Sequence, residues 1–324
     1  MKIAVLEVGH WHAPLARIGL EQAHAEVVAV SARDPAAASS WVERFGCRVY
    51  ADAAALLARE RVEFAFVFDR HRDLAATARA VLERGIACSI EKPGGMAAGE
   101  VASLVTLSRQ RGVFASVPFV NRLSPLARGL RERIASGGLS GPSYASFVDL
   151  AGSPARYPAM GCAWMLDPAL AGGGCLINLG VHFIDLFAFL TQRPARLAGA
   201  TLSRAVHGGP MEDHARLLLD NDRGGAALVE IGYCYPDDDG RHQAYAVLGP
   251  GWFADARDDI CHLTRGATRE SFAAPLDAAP FYADYVVATL RAASRGEAPV
   301  ATLEDLHAVM TIVDQAYARD RASA

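Results

Sequence analysis

The chain has 324 residues, 52% of them hydrophobic and 21% charged, enough to bury a substantial core and form two domains. A formal net charge of -4 and a sequence pI near 6.2 leave no basic stripe for a phosphate polymer, which argues against nucleic acid as a partner. Cys47, Cys88, Cys162, Cys175, Cys234 and Cys261 are scattered without a C-x-x-C pair, so neither a metal site nor a disulfide framework is expected, and a reducing cytoplasm fits best.

Lys2 to Val8 predicts a first strand; its apolar run stops at Glu7, too early for a secretory signal, and no uninterrupted apolar span of membrane length follows. A helix over Ala13 to Ala25 and a buried strand at Val27 to Val30 complete a βαβ unit. Helices over Ala36 to Phe45, Asp52 to Arg59 and Leu74 to Arg84 then alternate with strands at Arg48 to Tyr50, Phe64 to Phe68 and Ala87 to Ile90. A helix over Ala98 to Arg111 and a strand at Val113 to Val117 follow. This alternation predicts an α/β fold with an N-terminal doubly wound parallel sheet over residues 1–119, whose ligands bind at the carboxyl ends of strands.

The pattern changes after Pro118. A helix over Leu126 to Ser136 precedes longer strand-like runs at Tyr144 to Leu150, Leu197 to Ser203, His214 to Leu219, Ala226 to Tyr233 and Gln243 to Val247. They predict a C-terminal α+β domain over residues 120–324, with an open, mostly antiparallel sheet of the kind that often supplies an oligomer surface. Helices over Tyr282 to Ala293 and Leu303 to Ala318 close the chain, the last packing back on the first domain.

Two segments carry candidate chemistry. Ser89-Ile90-Glu91-Lys92-Pro93 sets a lysine directly after a buried strand, and Pro93 restricts the backbone that aims it, with a cis peptide accessible there. Read alone, Lys92 is an exposed lysine at a strand end. Gly172-Gly173-Gly174 leads into Asn178, His182 and Asp185, whose spacing of i, i+4 and i+7 puts them on one helix face. Read alone, His182 is a satisfied helix histidine beside a surface aspartate. Three consecutive glycines cost conformational entropy without packing in return, so they point to close backbone approach by a ligand or another element.

As an ordered pair behind a βαβ N-terminus, these segments resemble the glucose-fructose oxidoreductase and inositol dehydrogenase family (Gfo/Idh/MocA), over nearly the whole chain. The resemblance implies a Rossmann-type first domain and an NAD- or NADP-dependent dehydrogenase that moves hydride between nicotinamide and a secondary alcohol carbon of a sugar, inositol or related polyol. It implies that His182 is the general base with Asp185 in support, and that Lys92 contacts the reacting hydroxyl. An imidazole, with an unperturbed pKa of about 6.5, suits that proton abstraction. Gly9, His10, Trp11, Arg33, Glu91, Lys92 and Pro93 become cofactor contacts, and Asn121, Arg122, Trp164 and Asn178 substrate contacts. Beyond the small molecule, the expected partner is a second copy, in a dimer or tetramer. A glycoside hydrolase of the same fold and a non-catalytic sugar-responsive protein are the alternatives.

The chain departs from the family in particular places. Glu7-Val8-Gly9-His10-Trp11-His12 retains only the middle glycine of the G-x-G-x-x-G turn that holds a pyrophosphate. A Glu7 carboxylate about 4 Å from a phosphate would cost roughly 4 kcal/mol at an effective dielectric near 20, about a thousandfold in affinity. Leu74 stands where the family carries a histidine, so that Asp69-Arg70-His71 replaces a Thr-Pro-type turn, and Met165 stands where arginine is common. Ala32 replaces the acid found after the second strand in NAD-preferring relatives. Arg33 follows it and favours NADP through a 2′-phosphate contact. Asn178 replaces an aspartate and keeps hydrogen bonding without charge.

Overall fold

Apolar runs without polar alternation need cover on both faces, and the first strands are used in that way. In the computed structural model, which describes residues 1–323, β1 (Lys2–Leu6), β2 (Glu26–Ser31), β3 (Arg48–Tyr50), β4 (Phe64–Val67), β5 (Ala87–Ile90) and β6 (Ala115–Ser116) form one parallel sheet. Their order is β3-β2-β1-β4-β5-β6. Helices α1 (Ala13–Gln22), α2 (Ser39–Phe45), α3 (Ala53–Arg59), α4 (His71–Glu83) and α5 (Ala98–Arg111) make the crossovers. The strand order reverses at β1, so the carboxyl ends of β1 and β4 flank the point where such sheets bind ligands.

The chain groups into two units, each discontinuous in sequence. The first holds Met1–Pro118, Tyr157–Gly172 and Ala279–His307. In it the helix Ala279–Arg295 lies so close to α1 that a Cβ on Gly19 would come within 2.6 Å of Val286. The second holds Phe119–Arg156, Gly173–Ala278 and the chain from Ala308 onward, so the last helix, Leu303–Ser323, is divided between them.

The second unit is built on β7 (Tyr144–Gly152), β8 (Arg196–Ser203), β9 (His214–Asp220), β10 (Ala226–Tyr235), β11 (Arg241–Gly249), β12 (Trp252–Arg257), β13 (Ile260–Arg265) and β14 (Thr268–Ala273), in the order β14-β13-β12-β11-β7-β10-β9-β8. All neighbours are antiparallel except β7 and β10, as an open, mostly antiparallel sheet requires. One buried row runs across it through Leu217, Val229, Phe147, Tyr245, Ala256 and Cys261. The helix Val181–Thr191 covers that face, with Phe183 5.7 Å from Phe147 and 5.4 Å from Tyr245 between ring centroids.

Strands β12, β13 and β14 were not expected. Their inward positions include small residues, Ala254 and Ala256, and their outward positions are mostly polar, so the alternation is weak; tight turns at Gly251, Asp258-Asp259 and Gly266 make the hairpins. A second correction concerns apolar length. The helical stretch Pro168–Thr191 is long and apolar enough to cross a membrane, but 83% of its most apolar window is buried inside the protein, as in the core helix of a folded domain.

Candidate active site

In the first unit, three chain ends meet the ligand-binding edge of the sheet: the loop after β1 leading into α1, the turn between β4 and α4, and the Glu91-Lys92-Pro93 segment after β5. Lys92 is 2% exposed, and its ammonium lies 5.6 Å from the Trp11 ring centroid, a cation–π contact in a desolvated setting. The Lys92–Pro93 bond is cis. Glu91, expected among the cofactor contacts, directs both side-chain oxygens to the protein: one pairs with His12 Nδ1 at 3.1 Å and the other accepts from the Tyr282 hydroxyl at 2.5 Å. Burial would raise its carboxyl, but the charges of His12 and Lys92 outweigh it and hold the group at about 2.

Around these residues gathers an aromatic cluster. The His10 ring stacks on Trp11 at 3.8 Å, and Trp164 lies 5.5 Å from Trp11 and 5.1 Å from His71. Burial pushes the His71 imidazole down to about 3 and His10 well below its ordinary value, so both are neutral at pH 7. Their hydrogen bonds fix the tautomers. His10 Nδ1 accepts from the His12 backbone N–H at 3.1 Å, which leaves the proton on Nε2; His71 Nδ1 lies 2.7 Å from the Ala171 carbonyl, to which it must donate, so its Nε2 is a bare acceptor. Both Nε2 atoms are buried without a hydrogen-bond partner. One donor and one acceptor beside the ends of β1 and β4 fit a nucleotide, which offers both kinds of group. Among the described residues no three His, Cys, Asp or Glu side chains gather as a metal site.

Glu7 does not follow the line of β1. Its φ of 58° is left-handed, uncommon for a residue with a Cβ, and its carboxylate swings across to β2. There it accepts from the Arg33 backbone N–H at 3.3 Å through both oxygens and from the guanidinium at 2.9 Å. The same guanidinium reaches Asp69 at 2.6 Å and Asp73 at 3.4 Å. Three carboxylates therefore share the charge of Arg33, the residue expected to meet a 2′-phosphate. Glu7, Ser31, Arg33, Asp52, Asp69 and Thr77 line a cavity of about 200 Å³. Burial raises the Glu7 carboxyl against the opposing pull of Arg33.

In the second unit, the glycines serve close packing against other elements. A Cβ on Gly173 would overlap the Tyr317 hydroxyl, and one on Gly174 would overlap the Glu212 carbonyl. The buried Glu212 carboxylate accepts from Gly174 N–H at 2.9 Å, Leu176 N–H at 3.0 Å and the Tyr317 hydroxyl at 2.8 Å. The next turn, Leu176–Gly180, is π-helical and precedes the α-helix Val181–Thr191, so the ideal 3.6-residue spacing between Asn178 and His182 is interrupted. Asn178 donates to the Tyr233 hydroxyl on β10 at 2.7 Å. His182 meets Phe119 edge to face at 6.1 Å, and Asp185 takes Arg122 in a two-point ion pair at 2.6 and 2.9 Å. Asn121 is buried in the turn Val120–Leu123, its carbonyl accepting from Ser124 at 2.8 Å.

The expected residues thus divide. Gly9, His10, Trp11, Arg33, Glu91, Lys92 and Pro93 belong to the first unit together with Trp164, which had been grouped with the substrate contacts; Asn121, Arg122, Asn178, His182 and Asp185 belong to the second. Sequence reasoning missed His71, His12, Glu212 and Tyr317. His71 was legible only as part of an altered turn, while Tyr317 carries no local signal because its partner is 105 residues away.

Comparison with known proteins agrees with this architecture. Residues 1–119 match the pattern described as "Oxidoreductase family, NAD-binding Rossmann fold", and residues 128–250 match "GFO/IDH/MocA C-terminal domain". The chain is 28% identical to the rhizopine catabolism protein MocA of Rhizobium meliloti, over 93% of this chain and 89% of that protein. It is 26% identical to D-xylose 1-dehydrogenase (NADP(+)) 2 of Haloferax volcanii, over 90% of this chain and 89% of the relative. Its fold matches that of a levoglucosan dehydrogenase solved with NADH and levoglucosan, at a TM-score of 0.85 and 14% identity, covering 98% of this chain and 97% of the other. With two patterns that together span most of its length, the chain belongs to the Gfo/Idh/MocA family of NAD-binding oxidoreductases.

Proposed function

We propose that the protein is a nicotinamide-dependent dehydrogenase that oxidises a secondary alcohol carbon of a sugar, inositol or related polyol. The observation that carries this reading is the buried Lys92 ammonium at the carboxyl end of β5, in a sheet of dinucleotide-binding order. A bound nicotinamide supplies the acceptor for the hydride that leaves the alcohol carbon. Lys92 orients and polarises the alcohol oxygen, and Trp11, packed against it, keeps water from that ammonium. His182 takes the hydroxyl proton. Asp185 contributes by fixing Arg122, which holds the Phe119–Arg122 segment against the histidine's helix. Asn178, oriented by Tyr233, binds a substrate hydroxyl, with Asn121, Arg122 and Trp164 completing the recognition.

Two relatives lend support through their names, a D-xylose dehydrogenase and a rhizopine catabolism protein. The NADP in the first name is not matched by an uncompensated cation here, since Arg33 is already shared among Glu7, Asp69 and Asp73. The test is a pair of variants. His182→Ala should lower kcat by about two to four orders of magnitude with dinucleotide affinity nearly unchanged, and Lys92→Met should lower kcat and weaken the dinucleotide as well. Wild-type turnover in His182→Ala would remove the histidine from the reaction.

A further inference from the structure

Resting on the dinucleotide reading above, we propose that Glu7 supplies from the end of β1 the carboxylate that Rossmann folds ordinarily place at the end of β2, so that the site takes a dinucleotide with a free ribose diol and rejects a 2′-phosphate. In such folds an acid after the second strand accepts from the ribose hydroxyls, whereas a cation there receives the phosphate. Here the position after β2 is Ala32, buried and without a polar group. The ends of the two strands are stitched together: the Val8 N–H donates to the Ser31 carbonyl at 2.9 Å and the Glu7 N–H to the Ser31 hydroxyl at 3.0 Å. The left-handed turn at Glu7 then delivers its carboxylate to the Arg33 backbone, one residue beyond Ala32.

The neighbouring acids cannot do the same work. Asp69 is occupied by Arg33, the Arg70 N–H at 2.8 Å and the Thr77 hydroxyl at 2.7 Å, and Asp52 caps α3 through the Ala55 N–H at 2.7 Å. Glu7 retains capacity. Its Oε2 takes the guanidinium, while the Arg33 N–H is held in a long contact shared by both oxygens; the carboxylate also takes the Gly9 backbone N–H, and its Oε1 stands 3.1 Å from where a Cβ on Gly9 would be. That oxygen therefore lies over the glycine of the β1–α1 loop, the place where backbone approaches a dinucleotide. A vicinal diol brings two O–H donors to such an acceptor. A phosphate brings charge into a cavity that pairs three carboxylates, Glu7, Asp52 and Asp69, with the single guanidinium of Arg33.

Calorimetric titration of the full chain with NAD and with NADP, on the wild type, Glu7→Gln and Glu7→Gly, tests this. The glycine variant suits the left-handed backbone, and a thermal melt of each protein confirms folding. The wild type should bind NAD at least about tenfold more tightly than NADP, and Glu7→Gln should weaken NAD by about ten- to a hundredfold while narrowing the gap. Three results overturn the assignment and leave the dehydrogenase reading intact: equal wild-type affinities, an unchanged ratio in Glu7→Gln, or tighter NAD binding in Glu7→Gly, which would make the carboxylate an obstacle. If none of the three proteins binds either dinucleotide at millimolar concentration, both this assignment and the reading beneath it fail.

Discussion

A neutral, fully buried histidine is a stability statement as well as a chemical one. His71, held at about 3, and His10, held well below its ordinary value, do not take up the protons that the unfolded chain binds as the pH falls below about 6.5. The stabilisation from His71 is therefore complete above that pH and is lost progressively toward pH 3, at about 1.4 kcal/mol per pH unit, and His10 acts in the same direction. Glu91, held at about 2, acts in the same direction below its unfolded value. Urea unfolding should show stability falling between pH 6.5 and 5, with His71 contributing up to about 2 kcal/mol of the loss. His71→Asn, whose amide can still donate to the Ala171 carbonyl, should lose less over the same interval. A wild type equally stable at pH 7 and 5 would contradict the burial argument. None of this was legible in the sequence, where a histidine after a strand looks the same whether it is solvated or buried.

At the scale of elements, the segment that carries His182 is fixed at its N-terminal end. Glu212 receives two backbone N–H groups and the Tyr317 hydroxyl there, and a carboxylate in that place also complements the helix dipole. Gly174→Ala forces a methyl group into the Glu212 carbonyl and should cost about 1 to 3 kcal/mol, whereas Tyr317→Phe should cost about 1 to 2 kcal/mol by removing a hydrogen bond to a charged group. Both should lower kcat more than they raise KM, since they disturb the support of the proposed base, His182, rather than a substrate contact. A Gly174→Ala protein with unchanged melting temperature and kinetics would show that the segment is not pinned there. The triple glycine announced a close approach, which the sequence alone could not attribute to a ligand or to another element, because the partners, Glu212 and Tyr317, are distant in the chain. The π-helical turn was equally hidden, since its residues also fit a regular helix.

Across the whole molecule, both sheets were legible because their strands alternate or run apolar as their burial demands, and the last three strands escaped because small and polar residues carry them. Among its polar residues, the solvent side of the second sheet also carries large apolar side chains. Leu218, Phe253 and Ile260, 55%, 42% and 45% exposed, share it with Leu228, Leu248 and Tyr144 by register. Such a patch suits self-association, and light scattering should find a dimer or tetramer that Leu218→Glu with Phe253→Glu breaks into monomers. A monomeric wild type would dismiss this face as an interface.

The activity proposed for this chain is oxidation of an alcohol carbon by hydride transfer to a nicotinamide. Its most direct test is the appearance of reduced-cofactor absorbance when catalytic amounts of the protein meet NAD and a panel of sugars, glycosides, inositols and related polyols. Reduced cofactor should accumulate steadily with at least one member and not at all in His182→Ala. Tight dinucleotide binding with no reduced cofactor from any member, while a glycoside in the panel is cleaved with no net redox change, would contradict it.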